Sequence, residues 1–233
     1  MKRVDLSIII PSFSEEKNLS DILPRLKKTL NNLRKSYEVL IVDQTKSVDN
    51  TKIICNKFNF TYLNRFPSNS YGDAVRTGIK NSTGEKIIFM DADGSHDPEF
   101  ISNLYLNSDK SDIVIASRYI EEGGTANTFL LTLMSKLLNF SYSFVLGVPC
   151  KDVSNSFKLY KSEHLKKISL ICNNFDIVEE IIFKIYNENS NIVIKEIPFF
   201  FKQRKFGETK RNLFLFILTY LFTMIKLKRS LKK

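Results

Sequence analysis

Short apolar runs alternate with amphipathic segments through the first half of the chain. Five runs rich in β-branched residues predict buried strands, at residues 4–10, 38–42, 60–63, 86–90 and 112–116. Apolar residues at helical spacing between these runs predict four helices, at residues 19–33, 51–58, 72–81 and 98–106. Because strands that are apolar throughout alternate with helices, we predict an α/β fold with a mostly parallel central sheet flanked by helices.

The second half of the chain is less regular. Two apolar segments predict helices at residues 129–145 and 177–186, and two shorter ones predict strands at residues 156–160 and 192–197. Residues 213–225 are largely apolar, but as a helix they span only about 20 Å, short of the roughly 30 Å of a bilayer's hydrocarbon core. No segment reaches the about 18 consecutive apolar residues that a transmembrane helix needs.

Positive charge is concentrated near the end of the chain. Residues 202–233 contain ten basic residues and one acid, whereas residues 1–201 contain 25 basic and 24 acidic residues. Such a segment suits an anionic partner, and without aromatic residues interleaved on a known module it does not predict a nucleic-acid partner. We predict that residues 211–233 form an apolar and basic helix on a membrane surface, with residues 129–145 as a second such element. Packing of both helices in the core or in a homo-oligomer is the alternative.

Composition places the protein among ordinary globular chains. Its 233 residues are 43% hydrophobic and 26% charged, which excludes a largely disordered, collagenous or coiled-coil protein. The three cysteines are widely separated and lack the spacing of metal ligands, so they are interpreted as buried, reduced thiols. The apolar run at residues 6–10 is too short for a signal sequence. We expect a cytoplasmic protein that is peripheral on a membrane.

Two carboxylates follow the strand at residues 86–90, at the sheet edge where ligands of parallel sheets bind. Side chains of an extended chain alternate, so Asp91 and Asp93 point the same way and Ala92 points into the protein. Carboxylates that converge repel each other unless a cation lies between them, and an all-oxygen site favours Mg²⁺ or Mn²⁺. The motif therefore predicts metal-assisted departure of a phosphate-bearing leaving group.

Two residues beside this motif are interpreted as structural. Asp97 precedes Pro98, and this order predicts a helix cap rather than a third metal ligand. His96 lies next to a turn and is predicted to be a surface residue rather than a ligand.

The sequence lacks the motifs of three other enzyme classes. The loop after the first strand, residues 11–16, lacks the glycine-rich pattern of dinucleotide-dependent dehydrogenases. The chain also contains neither a P-loop nor the Gly-x-Ser-x-Gly turn of esterases.

Five short motifs occur in order along the chain: Pro11-Ser12-Phe13-Ser14-Glu15, Ile41-Val42-Asp43, Gly72-Asp73-Ala74, Met90-Asp91-Ala92-Asp93 and Ala116-Ser117-Arg118-Tyr119. Gly123-Gly124, residues 154–160 and residues 197–210 extend the pattern. Together these segments resemble family 2 glycosyltransferases, and more closely their dolichol-phosphate mannose synthase branch. The resemblance extends over about residues 4–210, nearly the whole chain.

The resemblance implies a type A nucleotide-diphospho-sugar transferase fold, with residues 1–210 as the catalytic domain. It also implies inverting transfer of a sugar from GDP-mannose or a UDP-hexose to a polyprenyl phosphate, with Mg²⁺ or Mn²⁺ as cofactor and with Asp91, Asp93 and Arg118 as catalytic residues. By position, the metal residues are Asp91, Asp93 and Ser95, and the acceptor phosphate would contact Arg118 and Ser135. The donor would be bound by Pro11, Phe13, Glu15, Val42, Asp43, Gln44, Ala92, Arg204 and Lys210.

The chain departs from the family pattern at several positions. Ser14 stands where the family has Asn, and Gln44 where it has a second acid that helps to read the base. Gly94-Ser95 replaces Leu and a polar residue, and Leu131 stands where an Arg helps to clamp the acceptor phosphate. Two alternatives therefore stay open: a family 2 transferase that glycosylates a sugar hydroxyl in surface polysaccharide synthesis, and a non-catalytic protein that retains the fold.

A phosphate acceptor makes a simple chemical demand. A phosphate monoester is largely ionised at pH 7 because its second pKa is about 6, so it attacks without a general base. The enzyme must then supply cations that bring two anionic substrates together and a metal that stabilises the leaving diphosphate. Arg118, Arg204 and Lys210 fit this demand. A sugar hydroxyl would need a base, and no residue stands out for that role.

Overall fold

A computed structural model of the protein describes residues 3–206 and 222–229. The strands are β1 (Val4–Pro11), β2 (Tyr37–Asp43), β3 (Thr61–Asn64), β4 (Gly84–Phe89), β5 (Ile113–Ser117), β6 (Gly124–Thr125), β7 (Lys158–Lys161), β8 (Ile194–Pro198) and β9 (Phe200–Phe201). The helices are α1 (Glu16–Leu33), α2 (Thr51–Lys57), α3 (Tyr71–Asn81), α4 (Ile101–Leu106), α5 (Phe129–Leu146), α6 (Ser162–Leu165) and α7 (Ile177–Glu188), followed by α8 at residues 222–229.

Seven strands form the central sheet in the order β3-β2-β1-β4-β7-β5-β8. The neighbours β3, β2, β1 and β4 are parallel, and so are β5 and β8, whereas β7 runs antiparallel to both β4 and β5. The predicted mostly parallel sheet is thus confirmed. Strands β6 and β9 form a separate parallel pair.

Helices cover both faces of the sheet because the strands carry apolar side chains on both sides. Ile8 and Ile10 face a core built with α1, α2 and α4, whereas Ile9 faces the opposite core, built with α3, α5, α6 and α7. This alternation follows from the two-residue period of a strand.

The carboxyl edge of the sheet is covered by the segment that follows β9. The Lys202 N–H donates to the Ser95 carbonyl at 3.2 Å, and the Lys205 N–H donates to the Asp93 carbonyl at 3.1 Å. Residues 202–206, which we call the covering segment, therefore lie against the loop that follows β4.

Helix α8 packs on the body of the protein. Leu227 is fully buried in the core that contains α5 and α7, and the Thr223 hydroxyl donates to Asp176 Oδ2 at 2.6 Å. Phe222 and Ile225, by contrast, are exposed. The predicted boundary at residue 210 and the start of the predicted terminal helix lie outside the described residues, and membrane contact by residues 211–233 stays a prediction.

Candidate active site

A cavity of about 780 Å³ opens at the carboxyl edge of the sheet. Most of the residues predicted to bind substrates or metal line it: Pro11, Phe13, Glu15, Asp91, Ala92, Asp93, Ser95, Arg118, Ser135 and Arg204. Val42, Asp43 and Gln44 are buried and do not line the cavity. Lys210 lies outside the described residues. The structure therefore brings together the predicted metal and phosphate residues that it describes, whereas three of the predicted donor-binding residues are not part of the cavity lining.

The two carboxylates of the motif are held by hydrogen bonds. Asp91 accepts from the Tyr71 hydroxyl through Oδ1 at 3.3 Å and from the Ser156 hydroxyl through Oδ2 at 3.0 Å. Asp93 Oδ1 accepts from the N–H and the hydroxyl of Ser95, at 3.0 and 2.5 Å. Ala92 between them is buried, in line with the predicted alternation.

Arg204 of the covering segment bridges two acids at the cavity. Its guanidinium lies 2.6 Å from Glu15 Oε1 and 3.4 Å from Asp93 Oδ2. Burial raises the pKa of Asp93, but the hydrogen bonds from Ser95 and the positive charge of Arg204 outweigh it, so the pKa lies below its usual range. Asp93 is therefore ionised at neutral pH, as a metal ligand must be.

The residues present fit a divalent cation that takes part of its ligand shell from the substrate. Among the described residues, no group of three His, Cys, Asp or Glu side chains is arranged to hold a metal. Two carboxylates can still bind Mg²⁺ or Mn²⁺ when diphosphate oxygens and water supply the other ligands. The Ser95 hydroxyl donates to Asp93 Oδ1, so in this structure Ser95 orients one of the two carboxylates that would bind the metal.

Arg118 is fixed by a buried acid that sequence reasoning missed. Its guanidinium donates to both oxygens of Asp152, at 2.7 and 2.8 Å, and to the Ser154 hydroxyl at 2.9 Å. Burial raises the pKa of Asp152, but the charge of Arg118 outweighs it and lowers the pKa. Asp152 lies two residues before the segment at residues 154–160, and this position was the signal available in the sequence.

Arg65 is a second guanidinium at the cavity that sequence reasoning missed. It donates to five backbone carbonyls, three of them at the ends of β1 and β2 and two just before α3: Ser12, Val42, Asp43, Asn69 and Ser70. Its guanidinium carbon lies 5.7 Å from the centre of the Phe13 ring. Arg65 thereby connects three loops that form one side of the cavity.

The two structural interpretations beside the motif have different outcomes. Asp97 occupies the predicted N-cap position, with Pro98 at the start of the 3-10 turn at Pro98–Phe100, but its side chain makes no capping hydrogen bond. It pairs instead with Arg25 and with Lys202, whose positive charges attract the carboxylate more strongly than a neutral N–H does. The surface position predicted for His96 is wrong, because the ring is fully buried and stacks on Phe157.

Known proteins similar to the chain share its motifs and its fold. The glycosyl transferase family 2 profile matches residues 7–169. A dolichol-phosphate mannosyltransferase from Pyrococcus furiosus is 30% identical over 212 residues, which are 88% of this chain and 58% of that protein. The chain thus spans less than two thirds of this curated relative.

Solved structures give the same fold at lower identity. Glucosyl-3-phosphoglycerate synthase from Mycobacterium tuberculosis in complex with UDP is 14% identical, and the match covers 97% of this chain and 80% of that one, with a TM-score of 0.71. The same enzyme with Mn²⁺ and UDP-glucose gives a TM-score of 0.70, at 14% identity and with 95% and 79% of the two chains covered. The type A transferase fold is confirmed, and with the profile match over residues 7–169 the chain belongs to glycosyl transferase family 2.

Proposed function

We propose that this transferase moves a sugar, with inversion, from a nucleoside diphosphate sugar to a polyprenyl phosphate at the cytoplasmic face of a membrane. The observation that carries the proposal is the position of α5. One side of this helix lines the cavity with Leu131, Met134, Ser135 and Leu138. Its other side is apolar and exposed, so the acceptor site lies next to a surface that suits lipid.

The outer side of α5 is unusually apolar for a protein surface. Phe129, Phe140 and Phe144 are 83%, 69% and 79% exposed, and Leu130, Leu133 and Leu137 are also exposed. Lys136 is the one charged residue within the helix. By length and composition, α5 is the one helix among the described residues that could cross a membrane, with a mean hydropathy of 1.4. The expectation that no segment is long and apolar enough is therefore wrong for α5, whose 18 residues include a few polar ones. A helix that also lines a substrate cavity is better suited to lying in the plane of the interface.

Charges in the cavity fit two phosphate-bearing substrates. The described lining residues carry three carboxylates, Glu15, Asp91 and Asp93, and three guanidiniums, Arg65, Arg118 and Arg204. A divalent cation on the aspartates would offset their charge and leave the guanidiniums to face anionic oxygens. Guanidiniums offer paired N–H donors, which match the oxygens of a phosphate group.

The same residues offer no suitable base for a hydroxyl acceptor. Glu15 is paired with Arg204, and the pKa of Asp93 is lowered, which makes its carboxylate a weak base. Asp91 accepts hydrogen bonds from Tyr71 and Ser156, and in the proposed site it would hold the cation. No histidine is among the described lining residues. An acceptor that is already ionised, such as a phosphate monoester, removes this demand.

The chain's own residues would bind and orient the reactants. Asp91 and Asp93 would hold the cation, which when bound supplies charge stabilisation to the leaving diphosphate. Arg204 would move from Glu15 and Asp93 toward the diphosphate, and Arg118, held by Asp152, would hold the acceptor phosphate near Ser135. The apolar part of the cavity wall would exclude water from the reacting atoms.

Relatives of the chain support the proposed substrates. The Pyrococcus furiosus relative is a dolichol-phosphate mannosyltransferase, which favours a polyprenyl phosphate acceptor. The similar structures of glucosyl-3-phosphoglycerate synthase contain UDP and Mn²⁺ or Mg²⁺, which favours a nucleoside diphosphate donor and a divalent cation.

The proposal is tested by following a radiolabelled sugar. The protein is incubated with GDP-mannose or a UDP-hexose and with vesicles that contain polyprenyl phosphate, with Mn²⁺, Mg²⁺ or EDTA. We expect label in a lipid extract, released by mild acid and abolished by EDTA. Asp93→Asn should lower the rate on the order of 100-fold, because loss of a cation's charge stabilisation costs several kcal/mol.

Asp109→Asn is the matched control, because the Asp109 side chain is 81% exposed and lies away from the cavity. It should leave the rate unchanged. Label in a water-soluble or polymeric product would support transfer to a sugar hydroxyl instead. No turnover by folded protein with any donor would support the non-catalytic alternative.

A further inference from the structure

His96 is buried next to the metal motif and contacts its backbone. Its ring has no exposed surface, and Nδ1 lies 3.0 Å from the backbone nitrogen of Asp91. The ring stacks on Phe157 with the centroids 4.6 Å apart and the planes 9° apart. The edges of Phe199 and Phe201 close the other sides, at 6.1 and 5.6 Å.

The contact determines which nitrogen of His96 carries the ring proton. A backbone N–H can only donate, so Nδ1 accepts and the proton lies on Nε2. A charged imidazole has protons on both nitrogens and could not accept this hydrogen bond.

The Asp91 N–H lies beyond the end of β4, where no neighbouring strand supplies its acceptor. The Met90 N–H still donates to the Ile9 carbonyl at 3.0 Å, and the strand then ends. At Asp91 the acceptor is therefore a side chain, contributed by His96 from five residues further along the same loop. This bond folds the loop back on itself, so that the two carboxylates project from a closed turn.

We propose that His96 is a positioning residue for the metal site: its neutral imidazole fixes the backbone of Asp91 and thereby the direction of both motif carboxylates. This inference rests on the proposed metal-dependent transfer. His96 would not itself be a metal ligand, since the Nδ1 lone pair is used by the backbone and Nε2, which carries the proton, lies 3.9 Å from Asp91 Oδ2. The phenylalanines hold the ring at the angle that the bond requires.

If His96 only filled the apolar space, its ring would matter for packing and its Nδ1 acceptor would not. Two substitutions separate these roles. His96→Phe keeps the stacking surface and removes the acceptor, whereas His96→Asn loses the ring and places an amide oxygen where Nδ1 accepts. Outer-sphere groups of this kind typically change metal affinity by about 10- to 100-fold.

Binding of Mn²⁺ tests the proposal without turnover. Mn²⁺ is titrated alone, with GDP and with UDP, and the free hydrated ion is followed by electron paramagnetic resonance. We expect His96→Phe to weaken binding by about tenfold or more and His96→Asn to restore it to within about threefold. Equal affinity in His96→Phe and the unaltered protein would overturn this inference alone. No Mn²⁺ binding by the unaltered protein would overturn the proposed function and this inference with it.

Nitrogen NMR of the unaltered protein tests the tautomer, even where both variants fail to fold. The chain contains two histidines, so a sample labelled with ¹⁵N-histidine gives few signals. His164 lies near Asp112, and its signals are assigned with His164→Gln. At neutral pH we expect a proton on Nε2 and none on Nδ1 of His96, with no metal present. A protonated Nδ1 would overturn the inference.

Discussion

Side chains that bind backbone groups hold the loops of the site in place. Arg65 donates to carbonyls, Asp152 accepts from the Arg118 N–H, and Asp73 accepts from the Ser68 N–H. Each of these charges is largely buried, so its hydrogen bonds must replace the water that it loses. The contacts use backbone groups at loop ends, where no sheet or helix partner is available.

Asp73 gives a prediction at this scale. It lies at the start of α3, accepts from Ser68 and Ser70, and pairs with Arg76 at 2.7 Å. Burial raises the pKa of Asp73, but these contacts outweigh it and lower the pKa to about 2. We expect Asp73→Asn to reduce the free energy of unfolding at pH 7 by about 2 kcal/mol.

The sign of the pH dependence follows from the lowered pKa. The ionised carboxylate stabilises the fold above pH 4, and this contribution is lost as the pH falls through about 2. Urea denaturation at pH 7, 4, 3 and 2 should therefore show the difference between Asp73→Asn and the unaltered protein shrink and vanish. A difference that is constant over this range would contradict the assignment, and Asp109→Asn serves as the exposed control.

At the scale of elements, the covering segment depends on a glycine in the motif loop. Gly94 has a φ of +85°, and a Cβ there would lie 3.2 Å from Lys205 Cβ. Lys205 is anchored beyond this contact, with its ammonium 2.7 Å from Asp21. A side chain at residue 94 would therefore push the covering segment, and Arg204 with it, away from Asp93.

Gly94→Ala tests this packing, with Gly147→Ala as the matched control. Gly147 also has a positive φ, of +70°, but no atom lies within 4 Å of its Cβ position. We expect both variants to lose about 1 kcal/mol of stability from backbone strain. Only Gly94→Ala should also raise the KM for the donor, by several-fold. Equal KM values in the two variants would show that the covering segment does not need this close approach.

The sequence predicts the strands and helices that have a recognisable pattern of apolar residues of their own. The first five strands are continuous apolar runs, and their predicted positions match β1 to β5 within a few residues. The antiparallel direction of β7 could not be predicted, because the apolar pattern of a strand carries no direction. Strands β6 and β9 have two residues each, too few for any periodicity.

The residues of the site also differ in how far the local sequence predicts their placement. The two-residue period of an extended chain predicts that Asp91 and Asp93 face the same side, and both do line the cavity, although β4 ends at Phe89 and residues 92–93 form a turn. The burial of His96 depends on Phe157 and Phe199, which come from segments about 60 and 100 residues further along the chain. Only the folded sheet brings these residues together, so a local interpretation of His96 as a surface residue was bound to fail.

At the scale of the whole molecule, apolar surface is concentrated on α5. The exposed phenylalanines and leucines of this helix adjoin the cavity wall, whereas Leu106 of α4 is exposed on the other side of the sheet. A soluble monomer rarely leaves such a surface uncovered. Lipid at the membrane surface is the cover that agrees with the proposed acceptor, and a second copy of the chain is the alternative.

Negative charges introduced on the exposed side of α5 distinguish contact with lipid from contact with a second copy of the chain. Burial of each phenylalanine is worth about 1.5–3 kcal/mol, so Phe140→Glu with Phe144→Glu should weaken binding to anionic vesicles at least tenfold in a flotation assay. Leu106→Glu, equally exposed at 69% but on the opposite side, should bind as the unaltered protein does. Thermal unfolding should be similar in all three, since none of the changed side chains is buried. The opposite result would be unchanged vesicle binding, together with an unaltered protein that is a dimer and a double variant that is a monomer. It would show that a second copy of the chain covers α5, and it would contradict a lipid-facing acceptor site.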